Sequence, residues 1–358
     1  MKSFTILLFT TITTGLMAQQ LNTVATLGST LEETSSLLYL DGRLLTINDA
    51  SGDKNIYEID QTTGGISRSV NLFKANNVDW ESLAHDNDHI YVCDTGDDEG
   101  ERDELKIYRV TKENYLNYDV IVSEVTKFTY PFLNGFDHGF NCEASVVIDD
   151  RIYLFTKAYN GEPTRVFSVP TEIGNYVAEF VQEIALAPRV TDASVMDNGQ
   201  ILVSQIDDNN NLTISRLDWD GQQFNISDQQ SPTVPADFSG QIEGICPLDN
   251  GNFYLTREKS WLGLSGLFKF EWMSAAASVG EVKEGLLELY PNPTIGDVTL
   301  RTDVETTAVV YSALGQKVWE GEILPGANNI ETSEWRRGVY LVTLDGEMES
   351  KTMKLLVK

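Results

Sequence analysis

Cysteine is nearly absent from this chain of 358 residues. The three present, Cys93, Cys142 and Cys246, are an odd number, which excludes a fully paired disulfide framework. No Cys-x-x-Cys or Cys/His spacing offers a zinc site. Each cysteine falls in or beside an expected strand, where it suits a small buried apolar residue. Histidine is as scarce (His85, His89 and His138), and none stands in a nucleophile motif, so a Ser-His-Asp hydrolase of the usual kind lacks its base. Positive charge is also short: 26 Lys and Arg stand against 54 Asp and Glu, a net charge of −28. Such a surface repels a phosphate backbone and argues against nucleic acid as a partner, while it attracts cations such as Ca²⁺. Beyond the N-terminus no run approaches the ~20 apolar residues of a spanning helix, so no membrane span is expected in the mature form.

What the chain has is concentrated first at its ends. MKSFTILLFTTITTGLMAQQ opens with Lys2, continues through a short apolar run and reaches Ala18. That is the pattern of a secretory signal peptide, 1–18. At the other end, LELYPNPTIGDVTL (287–300), VVYSALGQKVWEGEI (309–323) and WRRGVYLVTLDGEMESKTMKLLVK (335–358) alternate short β runs with Gly, Pro and Asn. They predict a small antiparallel β-sandwich over 286–358. Its Tyr-Pro-Asn-Pro opening, LGQKV hairpin, GVYLV strand and terminal KTMKLLVK strand resemble the type A sorting domain of type IX secretion cargo. The resemblance implies passage through the periplasm, recognition of 286–358 by the type IX machinery, and a secreted or outer-membrane-surface destination. Lys354 and Lys358 are either receptor contacts or solvated strand-end lysines.

Between the ends lie about 255 residues, enough for one sizeable domain. Five segments there repeat one plan. They start at Glu33, Glu81, Glu143, Asp192 and Glu243, spaced by 48, 62, 49 and 51 residues. An acid leads a short strand, a tight Asp-Gly, Asn-Asp, Asp-Asp or Asn-Gly turn follows, and a second aliphatic strand returns. Third strands follow at 55–60, 106–110, 165–169, 213–217 and 267–272, and fourth strands at 66–73, 124–130, 177–186 and 223–227. Four antiparallel strands repeated every ~50 residues predict a β-propeller over 19–272, joined by a linker at 273–285. The fold class is therefore all-β, a five-bladed propeller (six as the runner-up) followed by the β-sandwich. The last unit lacks a fourth strand, which TVATLG (23–28) would supply, leaving no open edge. The extra length after Glu81 is read as loop at 132–140, and no helix is expected.

In a propeller the first strand of each blade lines the central channel. The leading acids would then meet at one mouth. Two readings stand: Glu33, Glu81, Glu143, Asp192 and Glu243 share a metal, Ca²⁺ being the natural one, or each accepts backbone N–H groups of the neighbouring blade. Near them the second strands end at Asn48, Asp94, Thr156, Gln205 and Arg257, with Asp49, Lys157 and Glu258 adjacent. Asn48, Asp94, Lys157, Gln205 and Arg257 are the candidate ligand-binding set, the two cations either reading an anionic group or bridging the acids. The loop DTGDDEGERDEL (94–105) holds seven acids in twelve residues without the EF-hand pattern, and is read as a solvated acidic loop, with a surface Ca²⁺ site as the alternative.

The units over about 30–170 resemble a broad group of bacterial secreted propellers that includes phytase-like proteins. That resemblance implies metal-dependent hydrolysis of phosphoesters or lactones as one option, with a carboxylate such as Glu143 as base. The sequence itself favours a non-enzymatic binding or interaction module with Ca²⁺ in its channel, and a structural role holding other surface proteins is the third option.

Overall fold

The structure is a computed structural model that describes residues 21–131, 138–159, 162–186, 189–234, 240–261, 263–272, 288–302, 306–312, 316–333, 335–345 and 350–358. The segment expected to be a signal peptide (1–18), the expected linker (273–285) and 132–137 of the long loop lie outside these residues. The chain divides into two units, Met1–Ser274 and Ala275–Lys358.

The first unit is a five-bladed propeller. Strand β1 is Asn22–Thr26. Blade one is β2 (Thr34–Leu40), β3 (Arg43–Asn48), β4 (Asn55–Ile59) and β5 (Ile66–Phe73). Blade two is β6 (Trp80–His85), β7 (His89–Asp94) and β8 (Leu105–Thr111), then, past α1 (Lys112–Asn117) and β9 (Val120–Val122), β10 (Glu124–Thr129). Blade three is β11 (Cys142–Ile148), β12 (Arg151–Thr156), β13 (Thr164–Pro170) and, after β14 (Asn175–Val177), β15 (Glu179–Ile184). Blade four is β16 (Arg189–Val195), β17 (Ile201–Ile206), β18 (Leu212–Trp219) and β19 (Phe224–Gln230). Blade five is β20 (Ile242–Pro247), β21 (Asn252–Arg257) and β22 (Gly266–Glu271), and β1 pairs antiparallel with β22 as its fourth strand. The ring closes through the N-terminal strand as the repeat requires.

Turn chemistry sets the hairpins. Asp41 and Gly42 both take positive φ (49° and 79°), the pair of left-handed residues a two-residue turn needs. Asp86 and Asp249 instead fold their turns by side chain. Asp86 Oδ1 accepts the N–H groups of Asp88 and His89 at 2.7 Å, and Asp249 Oδ1 those of Gly251 and Asn252 at 2.7 Å. Alternating strand residues then bury their apolar faces between blades. One core joins blades one and two (Leu38, Ile47, Trp80, Leu83, Val92), another blades five and one (Leu27, Leu37, Tyr57, Tyr254, Leu267), and three more fill the remaining junctions. Cys93, Cys142 and Cys246 are all buried free thiols.

Two features depart from the sequence reading. The long interval after Glu81 is not only loop. It also holds α1, capped by the Thr111 hydroxyl accepting Asn114 N–H, and β9. Strand β9 adds parallel to β5 of the blade before, as β14 adds to β10, so each short strand covers an edge of the preceding blade. Their sequences, three residues each, are too short for periodicity to reveal.

The second unit has a three-stranded sheet (Glu288–Tyr290, Val298–Thr302, Gly326–Ile330) and a four-stranded one (Lys317–Ile323, Thr306–Ser312, Gly338–Asp345, Ser350–Val357). Val298, Leu300, Val310, Val342 and Leu355 pack in its core. Asn292 of the Tyr-Pro-Asn-Pro motif holds the last strand: its Nδ2 donates to Lys354 O (2.6 Å) and its Oδ1 accepts Leu356 N–H (3.0 Å).

Candidate metal and ligand site at the channel mouth

Each inner strand carries one β-bulge: between Ser35 and Leu37, Trp80 and Ser82, Cys142 and Ala144, Val190 and Asp192, and Ile242 and Gly244. The bulged residues are therefore Ser36, Glu81, Glu143, Thr191 and Glu243. A bulge re-aims a side chain and is a built feature rather than a defect. In three blades it presents a glutamate, and in the other two a hydroxyl.

Glu81, Glu143 and Glu243 are buried, and Lys157 joins them. Lys157 Nζ lies 2.9 Å from Glu143 Oε1, which also accepts Asn141 Nδ2 at 2.8 Å. Burial works against the Lys157 charge, but the fields of Glu143, Glu243 and Glu81 overcome it and hold its pKa well above normal. Burial raises Glu81 and Glu243, and neighbouring carboxylates add to the effect. Oε2 of Glu243 is buried with no hydrogen-bond donor among the described residues.

The remaining two leading acids lie elsewhere. Glu33 precedes β2 and is exposed. Asp192 is fully buried beside the bulge, where Oδ2 accepts Leu37 N–H (3.0 Å) and Ile245 N–H (2.9 Å) and Oδ1 accepts the Ser36 hydroxyl (3.0 Å). It ties blade four to blades five and one, which is the architectural reading of the repeat. The five acids thus do not form one ring of equivalent positions. The register puts Ser36 and Thr191 where the spacing had put Glu33 and Asp192.

Of the second-strand set, only Lys157 meets the inner acids. Asp94 is fully buried, accepting Arg102 Nη2 (2.9 Å) and Asp79 N–H (3.0 Å). Asn48 donates to Thr30 O (2.7 Å) and Asp53 Oδ2 (2.8 Å). Gln205 turns onto Ser215 of its own blade (2.5 Å), and Arg257 onto Leu264 O (2.6 Å) and the Phe268 ring.

A second convergence at the mouth comes from a different set. Glu33, Asp49 and Glu258 each offer a carboxylate oxygen, all within 4.8 Å of one another. Main-chain bonds hold them together: Asp49 N–H donates to Glu33 O (3.1 Å) and Lys259 N–H to Glu32 O (2.7 Å). Burial and then Glu33 and Glu258 push Asp49 up to about 7, and burial raises Glu258. Asp79, beside Glu81, is pushed up to about 6 by burial and Glu143. Asp49 and Glu258 were visible as acids flanking the second-strand ends. Asp79, one residue ahead of Trp80, had no counterpart in the repeat to mark it.

The acidic loop at 94–105 is folded over this mouth rather than solvated throughout. Asp97 accepts the N–H groups of Glu101 (2.8 Å) and Arg102, while Arg102 reaches Gly96 O and Asp94. Asp98 accepts Tyr159 OH (2.5 Å) and Asn141 Nδ2 (2.7 Å). Gly96 lies so close that a Cβ there would strike the carboxylates of Asp79 and Glu81.

Residues 288–358 match the family described as "Secretion system C-terminal sorting domain". The search of the curated proteins finds no match. Among solved structures, a luciferin-regenerating enzyme is similar at 8% identity and TM-score 0.42, covering 72% of this chain and 94% of that one. The Cps50 (Swd1) β-propeller domain of Myceliophteria thermophila gives 10% and 0.35, covering 91% and 97%. A quinonprotein alcohol dehydrogenase-like protein from Bacteroides thetaiotaomicron gives 12% and 0.35, covering 85% and 69%. No chemistry is carried over from likenesses at this level. Fold and tail together define an exported β-propeller. The chain is type IX secretion cargo, bound for the cell surface or the extracellular space. Among the described residues no helix is long and apolar enough to cross a membrane.

Proposed function

We propose that the exported propeller is a binding module whose channel mouth takes Ca²⁺ on Glu33, Asp49 and Glu258. The carrying observation is their convergence within 4.8 Å, with Asp79 and the inner glutamates behind them. Burial and like charge hold Asp49 at about 7 and raise Glu258, and a cation among them would relieve both. Ca²⁺ suits the donors, which are all oxygen, and its loose coordination of 6–8 ligands lets water complete the shell. Lys157 is paired with Glu143 in the inner layer, and its field reaches Glu258 as well.

Calorimetry of Ca²⁺ binding to the mature chain tests this. One site is expected, weakened at least tenfold in Asp49→Asn and in Glu258→Gln. Unchanged affinity in both would remove the site.

A Ca²⁺-dependent hydrolase of phosphoesters or lactones at the same mouth is the second reading. It is favoured by Asp49, whose pKa of about 7 suits a general base. Glu143 is less suited to that role, since its carboxylate is occupied by Lys157 and Asn141. Turnover of a chromogenic phosphoester or lactone, lost in Asp49→Asn, separates this reading from the first.

A further inference from the structure

The turns joining first and second strands surround the opposite end of the channel, away from the acids. They enclose a cavity of about 630 Å³, reached by turn residues of all five blades. That is the size of an ordinary ligand pocket, roughly 300–1,000 Å³. Its walls include Val147, Val195 and Met196, and its charged residues are Lys112 and four aspartates.

Lys112 and His85 stand on the blade-two side. Lys112 Nζ lies 3.2 Å from His85 Nδ1, and no carboxylate of a described residue lies within ion-pairing distance of it. Its backbone N–H is fixed on Asp88 O at 2.8 Å, so the ammonium is presented from an anchored position. Burial works against its charge, and the fields of Asp41, Asp86 and Asp88 favour it without a direct ion pair. On blades three and four, Asp149 of the β11–β12 turn and Asp197 of the β16–β17 turn make no side-chain hydrogen bond or ion pair with a described residue. Asp41 and Asp86 complete the lining acids, and Asp86 is committed to its own turn and to Tyr91 OH (2.6 Å). A simple anion would meet Lys112 but face these carboxylates, and a simple cation would face Lys112. A molecule carrying both charges satisfies both sides.

We propose that this cavity binds a zwitterion of the amino-acid or short-peptide class, its carboxylate on Lys112 and His85 and its ammonium on Asp149 and Asp197. The site is independent of the acid mouth, so its test is run in chelator. Calorimetry with the mature chain compares free trialanine with its N-acetylated and C-amidated forms. Free peptide is expected to bind, with at least tenfold weakening when either end is blocked. Lys112→Gln should lose the preference for a free carboxylate, Asp149→Asn with Asp197→Asn the preference for a free amine, and Lys112→Arg should retain binding. The proposal is overturned if free trialanine gives no binding up to about 10 mM, the millimolar affinity of a few kcal/mol that one charge pair at each end supplies. Equal binding of the blocked peptides, or unchanged selectivity in folded Lys112→Gln, overturns it as well.

Discussion

Asp192 and Leu37 are 155 positions apart, yet the Asp192 carboxylate accepts the Leu37 N–H at 3.0 Å. The same oxygen takes Ile245 N–H, so one side chain of blade four joins the last blade to the first. Burial raises the Asp192 pKa, and the donated N–H groups of Ile245 and Leu37 act against that rise. In Asp192→Ala both N–H groups and the Ser36 hydroxyl lose their acceptor in a dry interior. A loss of about 3 kcal/mol or more is expected, since three buried donors are orphaned and each costs ~1–3 kcal/mol. Urea unfolding measures it, and a loss no larger than that of a surface alanine would mean the tie is not structural.

Lys157 is the inner counter-charge of Glu81, Glu143 and Glu243. Replacing it with Met leaves three buried acids without a cation, for which about 3–5 kcal/mol is the usual cost of breaking a buried pair. The penalty should shrink as pH falls, because burial and neighbouring carboxylates raise Glu81 and Glu243 and favour their protonated forms. Denaturant midpoints of Lys157→Met at pH 5 and pH 8 decide the matter. A penalty independent of pH points to lost packing instead.

The mouth should make stability fall as pH rises. Asp49 and Asp79 sit at about 7 and about 6 in the folded chain, against ~3.9 for free Asp. The folded state therefore binds more protons between these values. Its advantage is complete below about 4 and gone above about 7. In chelator the melting temperature is expected to drop across that window. Ca²⁺ replaces the protons, so adding it should flatten the profile and release protons on binding near pH 6.5. Asp49→Asn should flatten the profile without metal. Melting curves that stay flat in chelator from pH 5 to 8 contradict the whole electrostatic account of the mouth.

Much of this architecture was legible because the blades repeat. Asp41-Gly42 and the aliphatic strand after it mark a hairpin wherever they recur, and TVATLG is a strand with no other partner. The site was harder to read because the acid and the turn do not keep one spacing. Glu81 and Glu243 both lie four residues before the end of their first strands, as do Ser36 and Thr191. Aligning on the acid pulled Glu33 and Asp192 into a position they do not hold. A bulge adds one residue without changing composition, so nothing in the letters marks it. Asp49 and Glu258 meet Glu33 only because blade five returns beside blade one, a relation closure creates and local sequence does not carry.

Export should depend on Asn292 through one strand. Its amide bonds Lys354 O and Leu356 N–H, 62 and 64 positions away, and the neighbouring Thr294 exchanges backbone bonds with Leu356 and Lys358. The terminal strand, whose Lys354 and Lys358 are exposed, is thereby held in a defined register. Asn292→Ala removes two bonds at a sheet edge, about 1–3 kcal/mol of local stability, since each is worth ~0.5–1.5 kcal/mol. Amide exchange of residues 350–358 should accelerate while the propeller strands remain protected. If the type IX machinery reads that strand in its ordered form, the variant should be retained in the periplasm. Retention with unchanged exchange would mean that Asn292 is itself the contact, and normal export with faster exchange that the machinery reads the strand unfolded.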